Sequence, residues 1–132
     1  DAKGRPYGLV RMGEVAEQPL AAFAAFVKRV LSCPGVRFSD AGKPVRKVAV
    51  GGGSCGSEIG DVIAAGCDTF VTADLKYNHF EEAKYRGLNL IDAGHFETEN
   101  PVCDVLEGIL REAFPEIPVF RARTHRDETQ FL

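Results

Sequence analysis

Val45-Arg46-Lys47-Val48-Ala49-Val50, followed at once by Gly51-Gly52-Gly53-Ser54-Cys55-Gly56, is the stretch whose reading decides the fold. The first six residues are rich in β-branched side chains and read as a strand. The next six form a glycine loop, and a helix follows over about 57–65, closed by Gly66. The unit then repeats. A buried strand at 68–72 leads into a polar turn at 74–78 and a helix at 79–86 closed by Gly87; a third strand at 88–91 leads into the polar segment 92–99. A longer helix at 101–114 puts Val102, Val105, Leu106, Ile109, Leu110 and Ala113 on one face, with Asn100 as its expected N-cap and Pro101 at its first position. Strands alternating with helices at this spacing make βαβ units. The fold class is therefore α/β, a layered and mostly parallel sheet with helices packed on it. Strands that are apolar throughout fit burial on both faces.

Outward from this core the pattern is less regular. Residues 1–17 read as a lead-in with a short apolar stretch at Gly8-Leu9-Val10. Pro19 opens a helix over 20–31 with Leu20, Phe23, Ala24, Val27, Val30 and Leu31 at helical spacing, ended by Cys33-Pro34-Gly35. Val36-Arg37-Phe38 is a short alternating strand, and 117–120 is expected to be a last strand. The organisation is a lead-in at 1–17, one α/β domain at 18–122 and a polar C-terminal tail at 123–132.

Composition narrows the function classes. The 132 residues suffice for one compact domain, and a net charge of −3 without a Lys/Arg stripe gives no electrostatic reason to expect nucleic acid. No apolar run approaches a membrane span and no signal peptide is visible, so no membrane partner is expected. The four cysteines, Cys33, Cys55, Cys67 and Cys103, form no CxxC pair. Cys67 and Cys103 lie in apolar segments and read as small core residues, consistent with reduced thiols in a cytoplasmic protein. The chain opens Asp1-Ala2-Lys3-Gly4 without a methionine, which suggests a fragment, a processed chain or an engineered one.

Three constellations could carry chemistry, all placed where strands end, the usual location of sites in open α/β sheets. The 51–56 loop fits G-x-G-x-x-G, so backbone donors of Gly52, Gly53 and Ser54 could hold a phosphate; the plain alternative is a tight turn passing close to a neighbouring element. Thr72, Asp74 and Lys76 sit in a dense polar turn that also holds Tyr77, Asn78 and His79, with Asp74 as an N-cap being the plain alternative. His79 itself reads as a surface histidine, and His125 as part of a solvated tail. The third is Gly94-His95-Phe96-Glu97-Thr98-Glu99, which sets an imidazole and carboxylates at a strand end, the donor types of borderline divalent metals. Two groups alone cannot complete a metal site.

The strings Val48–Ser54, Gly66–Tyr77 and Leu90–Glu99, with the lead-in Tyr7–Glu14, closely resemble the C-terminal half of the GTP cyclohydrolase 1 type 2 family, also described as NGG-interacting-factor-three-like dinuclear-metal proteins. The resemblance runs from about residue 7 to about residue 120. It implies one half of a two-repeat α/β fold, a hexameric ring, and two divalent metals (Zn, Mn or Fe) per full-length subunit held between two similar halves. In the family motif Gly-His-x-x-Thr-Glu the histidine and final glutamate are ligands, which fall here on His95 and Glu99. The family's remaining ligands, a histidine pair and an aspartate, belong to an N-terminal half, and this chain has no His-His pair. The family usually has glycine where Ala73 stands and often histidine where Asn78 stands. The function so implied is metal-dependent hydrolysis of a nucleotide or related substrate. Glu97 is the candidate for proton transfer, and Gly52, Gly53, Ser54, Thr72, Asp74 and Lys76 could line the pocket. A non-catalytic metal-binding or scaffold ring and a mononucleotide-binding domain using the 51–56 loop are the alternatives.

Overall fold

The computed structural model describes residues 8–132; Tyr7 and the start of the expected lead-in lie outside the described residues. The elements in chain order are β1 (Arg11–Gln18), α1 (Leu20–Val30), β2 (Arg37–Ser39), β3 (Val45–Val50), a 3-10 turn (Gly56–Glu58), α2 (Ile59–Ala64), β4 (Thr69–Thr72), α3 (Tyr77–Tyr85), β5 (Asn89–Asp92), α4 (His95–Glu99) and α5 (Pro101–Ala113). The strands form one sheet in the order β1-β3-β4-β5-β2. The central strands β3, β4 and β5 run parallel, with Val48 beside Thr69 and Phe70 beside Leu90. The edges β1 and β2 are antiparallel to their neighbours.

Period-two alternation along the central strands divides the core into two layers. Val48, Val71 and Ile91 pack with Leu20, Phe23, Ala24 and Val27 of α1. Their neighbours Ala49, Phe70 and Leu90 pack with Ile59 and Val62 of α2 and with Ala83 of α3. The apolar runs are thus buried on both faces because helices cover both.

Several expected elements differ. The lead-in strand lies at Arg11–Gln18, beyond Gly8-Leu9-Val10, and its pairing with β3 shifts register between Glu14 and Gln18. The expected helix at 57–65 begins as the 3-10 turn and becomes α-helical only at Ile59. Residues 117–120 form no strand. Pro118 lacks an N–H for a ladder, and β2 already pairs with the open side of β5. The segment lies along α5 instead, where Arg111 donates to Val119 O at 3.3 Å and Arg121 pairs with Asp104. Asn100 stands at the N-cap position of α5 with Pro101 after it, as expected, but makes no side-chain capping bond: its angles are helical (φ −54°, ψ −31°), so the chain passes from α4 into α5 without the extended geometry of a side-chain cap, and its side chain accepts from Arg121. The face from Val102 to Leu110 is exposed, and Cys103 is only half-buried; Cys67 is in the core as expected. No helix among the described residues is long and apolar enough to cross a membrane.

Candidate metal centre at the strand ends

The loops that follow β3, β4 and β5 are joined at one sheet edge by the backbone ladder. Gly51 N–H donates to Val71 O at 2.9 Å, Ala73 N–H to Gly53 O at 3.0 Å and Ala93 N–H to Thr72 O at 2.9 Å. Two threonines then fix the glycine loop. The buried Thr72 hydroxyl donates to Gly53 O at 2.9 Å and accepts from Cys55 N–H at 3.1 Å. Thr98 accepts from Gly53 N–H at 2.9 Å and donates to Gly94 O at 2.8 Å, coupling the loop to α4. Gly53 has φ +66°, and a Cβ there would strike the Glu99 carboxylate and approach His95 Nε2 to 3.1 Å. The glycine is required for the backbone to come this close to the His95–Glu99 pair.

His95 lies between two carboxylates. Its Nδ1 is 2.6 Å from Asp74 Oδ2 and its Nε2 is 3.2 Å from Glu99 Oε1. The hydrogen bond with Asp74 is the main cause of a raised imidazole pKa, to which Glu99 adds while desolvation opposes. With Nδ1 donating to Asp74, a neutral ring sets its Nε2 lone pair against a carboxylate oxygen. Two acceptors facing each other are relieved by a proton or by a cation. That donor chemistry fits a divalent metal, and the carboxylate behind the imidazole matches the usual support of a metal-ligating histidine. The fit is partial. Two donors fall short of a closed site, and among the described residues no group of three His, Cys, Asp or Glu is arranged to hold an ion.

Beside the pair is a cleft of about 280 Å³ bordered by Asp74, His95, Glu97, Arg37, Asp127 and Phe131. Glu97 is buried at 8% exposure; burial raises its carboxyl pKa and Asp127 adds to the rise. Asp92, also buried, accepts from Leu75 N–H at 3.0 Å and Gly94 N–H at 3.2 Å and pairs with Arg37, so it braces the loops. The tail returns over this end, with His125 against Phe96 at 5.0 Å between rings; it is not solvated throughout as expected.

Of the residues singled out in the sequence, His95, Glu99, Asp74, Glu97, Gly52 and Gly53 come together. A Cβ on Gly52 would meet Thr98 O at 3.2 Å. Thr72 acts behind Gly53 rather than in the cleft. Ser54 makes no contact with the His95–Glu99 pair among the interactions above. Lys76 caps α3 instead, its N–H donating to His79 Nδ1 at 3.2 Å. Asp74 is therefore not the N-cap of α3. His79 lies over Gly56. Arg37 and the clamp made by Thr98 were missed. The i, i+4 spacing of Gly94 and Thr98 was a usable signal for the clamp; nothing near Arg37 in the sequence pointed to this site.

A family model described as Duf34/NIF3 (NGG1p interacting factor 3) matches residues 3–128. A Nostoc protein named "GTP cyclohydrolase 1 type 2 homolog" is 43% identical over 84 residues, 61% of this chain and 32% of that protein. A Staphylococcus aureus protein of the same name is 39% identical over 92 residues, covering 68% of this chain and 25% of that one. The crystal structure of Staphylococcus aureus protein SA1388 superposes with a TM-score of 0.87 at 32% identity, over 96% of this chain and 38% of that chain. The chain thus spans about a quarter to a third of the length of the curated relatives it matches. The glycine loop, the Asp74 turn and the His95–Glu99 helix all fall inside the matched region, and the chain belongs to the Duf34/NIF3 family.

Proposed function

We propose that this chain forms one wall of a dinuclear divalent-metal centre in a metal-dependent hydrolase, with His95 and Glu99 as its ligands. The carrying observation is the opposition of His95 Nε2 and Glu99 Oε1 at 3.2 Å, held by a glycine that leaves room for no side chain. Divalent ions held there would supply Lewis-acid activation of water and substrate. The residues themselves supply position and proton handling. Thr98 and Gly53 hold the glycine loop against α4, and Glu97, its pKa raised, is suited to take and return a proton at its carboxyl oxygen. The name shared by the curated relatives supports a nucleotide such as GTP, or a related phosphoester, as substrate. The resemblance supports a hexameric ring and a second half-subunit supplying the remaining donors, and four free cysteines fit a reducing, cytoplasmic setting.

The incomplete donor set favours a second reading, a non-catalytic metal-binding or scaffold ring. The mononucleotide reading has less support, because the loop's N–H groups at Gly53 and Cys55 are already bonded to Thr98 and Thr72. The test is His95→Ala in the full-length protein, with metal content measured by elemental analysis and turnover of GTP and phosphoesters assayed on the metal-loaded protein. Reduced metal content supports the ligand assignment, and unchanged content removes it. Stoichiometric metal with no product from any substrate favours the binding role.

A further inference from the structure

We propose that Asp74 is the positioning residue of this centre: it holds the His95 imidazole in the Nδ1–H tautomer, so that Nε2 is the nitrogen presented to Glu99. The backbone argument comes first. Asp74 has φ +54°, the left-handed region that a residue with a Cβ seldom adopts, although aspartate enters it more readily than most. Its neighbours impose this. Ala73 and Leu75 are buried and their N–H groups are bonded to Gly53 O and to Asp92 Oδ2, both at 3.0 Å. The turn therefore carries Asp74 outward between two fixed points, where glycine would be the unstrained choice.

The side chain explains why a carboxylate stands there. It does not cap α3, whose N-terminal contacts are made by Lys76 and His79. Its hydrogen bond goes to His95 Nδ1 at 2.6 Å. A carboxylate accepts only, and of the two that flank the ring Asp74 makes the hydrogen bond, at 2.6 Å against 3.2 Å to Glu99, so a neutral ring carries its proton on Nδ1. The lone pair then lies on Nε2, 3.2 Å from Glu99 Oε1. Only the consequence for metal affinity rests on the preceding reading of His95 and Glu99 as ligands; the tautomer does not.

The experiment is nitrogen NMR of histidine-labelled intact chain, recorded well above the imidazole titration range, with the His95 signals identified by their absence in His95→Gln. Wild type should show the Nδ1–H form. Asp74→Gly should lose it in favour of the Nε2–H form that free imidazole side chains prefer, while its melting temperature is unchanged or higher because the left-handed strain is relieved. A residue with a merely structural role would lower the melting temperature on replacement and leave the tautomer alone. An Nε2–H form in wild type, or an Nδ1–H form surviving in Asp74→Gly, overturns the proposal, and the first needs no variant. Zinc titration by calorimetry separates the two readings. Asp74→Gly should bind zinc roughly 10–100-fold more weakly than wild type. If His95→Gln binds zinc as wild type does, the metal reading fails and the tautomer assignment is judged by the spectra alone.

Discussion

Two regions of this chain carry the same apolar signature and meet opposite fates. In β3, β4 and β5 the apolar runs vanish between two helical layers, and Phe70, Leu90 and Ile91 are wholly buried. In α5 an equally regular stripe, Val102, Val105, Leu106, Ile109 and Leu110, remains exposed, and no residue of the helix is buried. The difference lies in what the neighbours supply. Each central strand has a hydrogen-bonded partner on both sides and a helix over each face. The end of the chain returns along part of α5 through Arg111 and Arg121, a polar attachment that leaves the stripe open. Hydrophobic periodicity thus identifies a face suited to burial without saying what covers it.

The comparison is broken or upheld most directly by truncation in each region. Phe70→Ala should destabilise the chain by about 4 kcal/mol, the usual cost of removing a buried aromatic ring and leaving its cavity. Leu106→Ala should cost under about 1 kcal/mol because about half of its surface, 49%, stays in water and its removal leaves no enclosed cavity. Urea denaturation of both variants decides it, and similar losses would mean that α5 contributes to the core in solution.

A thiol sharpens the same contrast by titration. Cys33 packs with the α1 layer and its Sγ–H donates to Ala93 O at 3.1 Å. Burial, with a smaller contribution from Glu97, raises its pKa from 9.0 to about 11. The folded state therefore keeps the proton that the unfolded chain releases. The resulting stability is whole below pH 9.0 and is lost as the pH rises towards 11. The loss should be about 2 kcal/mol, following from a shift of about two units. The difference in stability between wild type and Cys33→Ala, followed over that window, isolates the thiol from the tyrosines and lysines that titrate alongside it. A constant difference would show that the thiol reaches water.

What was legible in the sequence follows the same division. The central βαβ units could be read because strand, glycine turn and helix signals agree locally, and because burial on both faces removes the ambiguity of an alternating strand. His95 and Glu99 could be paired from their spacing and the resemblance. The partner of His95 could not, since Asp74 is 21 residues away and meets it only once β4 and β5 are in register. The lack of a side-chain cap at Asn100 has a similar cause. Asn-Pro marks correctly where α5 starts, yet α4 arrives already helical and leaves the Asn100 side chain no capping geometry. The strand expected at 117–120 failed because its apolar content was weighed above Pro118 and because the edge it would have joined belongs to β2, far earlier in the chain.

The smallest expected effect bears most closely on α5. Val105 and Ile109 are four residues apart on its exposed stripe, at 58% and 54% exposure. Replacing them together, Val105→Glu with Ile109→Lys, removes two β-branched residues from a helix interior and installs an acid four residues before a base. Both changes favour a solvated helix by a few tenths of a kcal/mol. The double variant should therefore be as stable as wild type, or more stable by about 0.3 kcal/mol, in urea denaturation at low salt. The same charged pair placed in the Phe70 layer would bury two ions and prevent folding. A loss above about 2 kcal/mol in α5 would mean that its stripe is covered in the folded chain, and the contrast between the two regions would collapse.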